Sequence, residues 1–489
     1  MRLIRKLLIL CTTLTASVAV ADWSTQEDSW YSINIDGKKS GWAHELVEID
    51  SETNNIRSGK IQNMTLSRGG MEISISVSST FLETATGKPI SVYSTQEAMG
   101  MVQETTWNFG ETEIEITKVA GGKPLVKKVP LPKEMWLTPQ EVKRMFMKKM
   151  KEGASEITYQ TMTPELGPSV FTVVMTKKGE EQQEVLGVKQ QVIGWETVND
   201  KMPIVGMEYY TDSGENVGSK MNAGFGAIEN IIMPKTEALS PVNEVPELMV
   251  SLFVEPNKPI AKNASKLTMR VKTKDGSKIT LPSVGMQTVI LNEDGTATVS
   301  VDLSAPSIAT EKELADESYL AASAICDDTD EAVIAIAKDA LAGLPEEAST
   351  SNRALALRTK VSKHINEKNM STAFASASQT ARSKKGDCSE HAVLLCGVLR
   401  AADIPSRGVM GMVYVPNLGG PNGVFGWHMW SQALIDGKWV DLDATLDSPY
   451  SVGHIATITS ALSDEDFGAE MSSIIATIGN LEVEIVDEE

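Results

Sequence analysis

The spacing of apolar and polar positions changes period along the chain. Trp30-Tyr31-Ser32-Ile33-Asn34-Ile35 runs into Asp36-Gly37 and then into a second strand through Trp42 to Ile49. Ile73, Ile75 and Val77 alternate with polar residues, as do Ile114 and Ile116, so residues 22 to 235 read as mostly β. One helix interrupts them. Thr138-Pro139-Gln140-Glu141 spells a capping box with proline at the first helical position, ahead of Val142 to Lys151. This insertion is expected to join two β portions. Leu239-Ser240-Pro241 opens a linker. Short strands then return over Met249 to Val254, Leu267 to Thr273, Met286 to Leu291 and Ala297 to Leu303. With turns at Asp275-Gly276 and Asp294-Gly295, they predict a small β-sandwich over 240–308. From about residue 310 the period is helical, through Ala332 to Leu344 and Ala354 to Lys368.

A further helix follows Gly386-Asp387-Cys388-Ser389-Glu390-His391. Cys388, His391, Ala392, Leu395, Leu399 and Ala402 share one helical face, and Pro405 ends the helix near Asp403. Cys388 therefore sits in the first turn, where the helix favours negative charge and a thiol has the setting of a nucleophile. A nucleophilic cysteine needs a base and a group that orients the base. Of the five histidines, His428 lies in a strand, Phe425-Gly426-Trp427-His428-Met429-Trp430, that leads to the hairpin signal Asp436-Gly437. The returning strand is Lys438 to Thr445. A two-residue loop makes Ile435 face Lys438, Trp430 face Asp443 and His428 face Thr445. Asp443 then lies on the face of His428, one diagonal step away, roughly 7–8 Å between backbones and within side-chain reach. A three-residue loop would reverse this parity.

These pieces resemble the transglutaminase-like superfamily of papain-type cysteine enzymes. Gly386 to His391 matches that family's GDCxEH string. Leu399-Arg400-Ala401-Ala402-Asp403-Ile404-Pro405-Ser406-Arg407 matches LRAxGIPxR, with Asp403 where glycine is usual. Trp427 to Trp430 matches xHxW, and Trp439 to Thr445 matches WxxxDPT with Ala444 in place of proline. Phe374-Ala375-Ser376-Ala377 also looks like bacterial members. The resemblance covers about 310–465. It implies Cys388 as nucleophile, His428 as base and acid and Asp443 as orienter, with acyl transfer through a thioester and the Cys388 backbone N–H in the oxyanion hole. No cofactor is implied.

Other readings attach to several of these residues. His391, one turn from Cys388, is either an alternative base or a group hydrogen-bonded at the helix start. Glu390 is a dipole or packing partner. Asp441 shares the face of Asp443 and is the second candidate orienter. Trp430 either shields the site from water or packs in the core. Zinc on Cys388, His391 and Cys396 is disfavoured, because Cys396 lies more than two helical turns from Cys388. Asp327-Asp328-Thr329-Asp330-Glu331 lacks the calcium-loop pattern and reads as a helix start.

Met1-Arg2-Leu3-Ile4-Arg5-Lys6, the apolar run Leu7 to Val20 and Ala19-Val20-Ala21 read as a secretory signal peptide over 1–21, with Cys11 removed alongside it. No other run approaches the roughly 18 apolar residues of a span, so no membrane anchor is expected. Three cysteines then remain, too few to staple an exported chain of this size, and a Cys326–Cys396 bridge is not expected. The chain has 489 residues, 42% of them hydrophobic, and a net charge of −20, which argues against nucleic acid and anionic membrane partners. The expected architecture is α+β: a β-rich module (22–235), a β-sandwich-like module (240–308), a papain-like catalytic domain (309–470) and a frayed acidic tail (471–489). The expected function is an exported, periplasmic or surface, thiol amidase or acyltransferase acting on peptide or protein amides. The alternative is a binding or envelope-assembly module that keeps the fold without turnover.

Overall fold

Fourteen antiparallel strands between Trp23 and Ile232 form one continuous sheet in the computed structural model, which describes residues 23–68, 71–98, 101–119, 124–201, 205–223, 226–247, 252–368, 375–416, 418–448, 450–463 and 479–489. The segment read as a signal peptide, Phe374 and the start of the strand expected from Met249 lie outside the described residues. The sheet is a meander with one interruption. Strands step outward from Trp23–Ile35 to Leu125–Pro130, the helix Pro139–Lys151 crosses to the far edge at Glu156–Thr161, and a second meander returns to Gly226–Ile232 beside the first strand. The first turn forms as its sequence dictates: Ile35 pairs with Lys38, and Asp36 and Gly37 take positive φ of 48° and 76°. The helix begins at Pro139 as expected, but the Thr138 side chain makes no capping bond, so the expected capping box is not formed. Its apolar face buries Phe146 against Trp195 and Tyr210.

Two expectations are corrected in the next region. The strands after the linker form no sandwich of their own. Gln287–Leu291, Ala297–Asp302 and Lys266–Thr273 make one four-stranded sheet whose fourth member is Leu481–Glu488, at the end of the chain. The described end of the acidic tail, Leu481–Glu488, is thus paired, not frayed. Leu481, Val483 and Ile485 point inward while Glu482 and Glu484 point to solvent, a half-buried strand pattern. The opposing layer comes from the enzyme-like domain, since Leu267, Met269, Val299 and Ile485 share one core with Met412, Phe425 and Ile455.

That domain is built on a second four-stranded sheet in the order Lys438–Leu442, Val424–Ile435, Ser406–Val415, His454–Ser460. Helices Glu331–Leu341, Thr350–His364, Ala377–Ser383 and Cys388–Arg400 cluster against it. The last of these is buried almost throughout. Val393, Leu394 and Val398 join Met410, Met429 and Ala433 of the sheet in one core. At the helix end Asp403 takes φ 60°, the left-handed conformation for which glycine is favoured and aspartate tolerated. Among the described residues no helix is long and apolar enough to cross a membrane.

Candidate active site

Cys388 opens its helix because the chain before it is shaped for a cap. Asp387 is the N-cap and accepts hydrogen bonds from the Ser389 amide (3.1 Å) and hydroxyl (3.0 Å). The Glu390 carboxylate reaches back to the Asp387 amide (2.9 Å) and outward to the Ala375 amide (3.0 Å), completing a capping box. Burial, then the neighbouring Asp387 charge, push the Glu390 carboxyl up to about 7. Gly386 sits where a methyl group would run into the Glu390 side chain, and its φ of 153° disfavours any other residue. The helix start is thus fixed from both sides, leaving Cys388 partly exposed.

The hairpin has the two-residue register. Ile435 pairs with Lys438, and the ladder continues to Ser431 opposite Leu442. Beyond Leu442 the partner strand leaves the ladder, and Asp443 turns toward His428. His428 Nε2 lies 2.7 Å from Asp443 Oδ2, both groups being buried. Cys388 lies close enough to the same imidazole to favour its charged form. Burial disfavours charge on His428, but the Asp443 carboxylate and then the Cys388 contact outweigh it and raise the imidazole to about 10. Burial likewise opposes charge on Asp443. The charge and hydrogen bond of His428, with the hydrogen bond from His454, hold the carboxyl well below the usual range. The resting pair is therefore imidazolium and carboxylate at neutral pH.

The second candidate orienter is occupied elsewhere. Asp441 Oδ1 accepts from the Trp430 indole and from the Gln432 amide, each at 2.7 Å, and Oδ2 accepts from the Met286 backbone N–H at 2.7 Å. It fixes Trp430, whose ring lies 6.2 Å from His428, and ties the smaller sheet to the enzyme-like one. His391 is held at the helix start, Nδ1 against the Asp387 carbonyl at 2.6 Å. Burial lowers its proton affinity. Arg407 of the LRAxGIPxR string bonds Glu313 and Gln432 and stacks over Trp439.

Two participants were not read from the sequence. Arg358, on the Thr350–His364 helix, donates to the backbone carbonyls of Asp443 (2.6 Å), Ser448 (2.9 Å) and Leu446, pinning the segment that carries Asp443. His454, fully buried on the fourth strand, sets Nε2 3.1 Å from Asp443 Oδ2. Its only sequence signal was being one of five histidines, since its strand pairs with Ser406–Val415 and not with the hairpin. His428, Asp443 and His454 place possible metal ligands within 4.8 Å of one another. The 2.7 and 3.1 Å contacts on one carboxylate oxygen are ordinary hydrogen-bond lengths and account for that cluster without an ion. All three described cysteines are free, with Cys326 and Cys396 buried.

The site thus sets a partly exposed cysteine at a capped helix start and a buried histidine–aspartate pair in one domain. Residues 311–444 match the Transglutaminase-like superfamily, so the chain carries a transglutaminase-like domain behind a large β-rich N-terminal region. That match supports a thiol-enzyme-like fold for this domain. No curated protein matches the sequence. Among solved structures, a β-barrel-like protein of a domain of unknown function from Brucella abortus is 10% identical, covering 42% of this chain and 94% of its own, with a TM-score of 0.33. A protein described provisionally as a cysteine protease, from Cytophaga hutchinsonii, is 17% identical over 46% of this chain and 84% of its own, with a TM-score of 0.28. A protein described provisionally as a protease, from Parabacteroides distasonis ATCC 8503, is 13% identical over 72% of this chain and 65% of its own, with a TM-score of 0.18.

Proposed function

We propose that the protein is an exported thiol enzyme that cleaves or transfers the acyl group of peptide or protein amides. The observation that carries this reading is the 2.7 Å His428–Asp443 pair set against Cys388 at a capped helix start. The Cys388 sulfur attacks the amide carbonyl as thiolate, and the His428 imidazolium gives its proton to the leaving amine. The resulting thioester is released by water or by a second amine, with His428 taking the proton of the incoming group. Asp443 keeps the imidazole oriented and charged. The Cys388 backbone N–H is unpaired by position, in the first helical turn, and serves the developing oxyanion. Export is supported by the basic, then apolar, then Ala19-Val20-Ala21 pattern at residues 1–21.

The test is turnover of a panel of peptide amides with and without an amine acceptor. Amine release by the wild type, lost in Cys388→Ala and unchanged by a chelator, is the expected result. Equal rates for Cys388→Ala and wild type, or loss of activity with chelator, would overturn the reading.

A further inference from the structure

His454 has no part in the mechanism above, yet it is built into the same hydrogen-bond system. Asp443 Oδ1 accepts from the backbone amides of Thr445 (2.7 Å) and Leu446 (3.4 Å). Its Oδ2 meets two imidazoles, His428 Nε2 at 2.7 Å and His454 Nε2 at 3.1 Å. The orientation of His454 is fixed at its other end. Nδ1 lies 3.2 Å from the Ser451 hydroxyl and 2.9 Å from the Ser451 carbonyl. If the hydroxyl donates to Nδ1, the hydrogen of the neutral ring sits on Nε2. If Nδ1 donates to the carbonyl, a bare Nε2 would confront a carboxylate oxygen, so Nε2 carries a hydrogen as well. In either case Nε2–H donates to Asp443. Tyr450 stacks on the ring at 4.2 Å between centroids, and Trp430 meets it edge-on at 5.0 Å, so the imidazole has little room to turn.

We propose that His454 is a positioning residue for the thiol site: its Nε2–H fixes Asp443 Oδ2, so that the carboxylate meets His428 in one rotamer and holds the thiolate–imidazolium pair together. This rests on the function proposed above. Asp443 leaves the strand ladder at Leu442, so two backbone amides and Arg358 fix its main chain and Oδ1. The oxygen that touches His428 has His454 as its other partner. Removing that donor leaves Oδ2 with the His428 hydrogen bond alone, so the angle at which the carboxylate meets the imidazole is held by Oδ1 only.

The experiment compares the rate of iodoacetamide labelling of Cys388 at pH 6 and pH 9 in wild type, His454→Gln, His454→Phe and His428→Ala, with thermal unfolding as a control. At pH 6 fast labelling depends on the ion pair, whereas at pH 9 an ordinary thiol also reacts. His454→Phe keeps a ring but no donor and should slow labelling at pH 6 about tenfold, with the pH 9 rate little changed. His454→Gln keeps an N–H at nearly the same reach and should restore the pH 6 rate to within about threefold of wild type. Should His454→Phe not fold, His454→Met carries the same comparison. A folded donor-free variant that labels like wild type at pH 6 overturns the inference, as does a glutamine variant as slow as the donor-free one. A wild type whose labelling is slow and indifferent to His428→Ala overturns instead the function on which it rests.

Discussion

At the scale of single residues, the site turns on how charge is distributed between two buried groups. Because His428 is raised to about 10 by Asp443, its cation is favoured by folding. That contribution is complete below the ordinary imidazole value of about 6.5 and is lost as pH rises from there through about 10. The same titration removes the acid that protonates the leaving amine, so kcat/KM against pH should fall on its alkaline side near 10 and not near 7. Asp443 works in the opposite direction: its contribution is present above the ordinary carboxylate range and disappears as pH falls below it. Asp443→Asn should lower kcat by at least about a hundredfold, since a neutral amide does not supply the charge that stabilises the imidazolium. Asp441→Asn should act mainly on stability, through Trp430, Gln432 and Met286. Measured kcat and unfolding midpoints for the two variants check this division, and a larger kcat loss in Asp441→Asn would contradict it.

At the scale of elements, two local devices place the chemistry. One is the capped helix start. Gly386→Ala should displace Glu390 and with it the first turn, costing about 1–3 kcal/mol of stability by denaturant titration and most of the activity. Wild-type stability and turnover in that variant would show that the cap does not position the thiol. The other device is the Asp436-Gly437 hairpin, with φ of 50° and 74° at its two turn residues. This was legible in the sequence, because two turn residues allow one register and side-chain parity follows from it. The nearness of His428 and Asp443 was readable for that reason, and Cys388 from its place at a helix start. His454 and Arg358 were not: Arg358 lies 85 residues before Asp443, and His454, though 11 residues after it, is placed by its strand's pairing with Ser406–Val415, which no local pattern encodes. The capping box at Thr138 shows the converse: the right spelling did not form the bond, and the threonine hydroxyl is buried without a partner among the described residues.

At the scale of the whole molecule, the small sheet and the enzyme-like domain complete each other. Met286 donates to buried Asp441, and Gln287 exchanges hydrogen bonds with the Ala456 backbone on the strand of His454. A methyl on Gly285 would run into Asp441 and Gln432. The final strand buries Leu481, Val483 and Ile485, each contributing about 1.5–3 kcal/mol when fully buried. Its pattern was visible as Leu481-Glu482-Val483-Glu484-Ile485, but the acidic residues beside it favour reading a solvated tail. Deleting residues 481–489 should therefore destabilise the enzyme-like domain itself, exposing Met412 and Phe425, and lower its unfolding midpoint by several degrees or more. An unchanged midpoint would mean that the domains are energetically independent.

Intact mass spectrometry after brief iodoacetamide treatment of the native protein at pH 6, with the adduct mapped by peptide, reads directly whether Cys388 and His428 form an activated thiol pair. One fast adduct on Cys388, lost in His428→Ala, with buried Cys326 and Cys396 unlabelled, is the expected result. Slow labelling, or equal labelling of all three thiols, would contradict it and bring forward a binding module that keeps the fold without turnover.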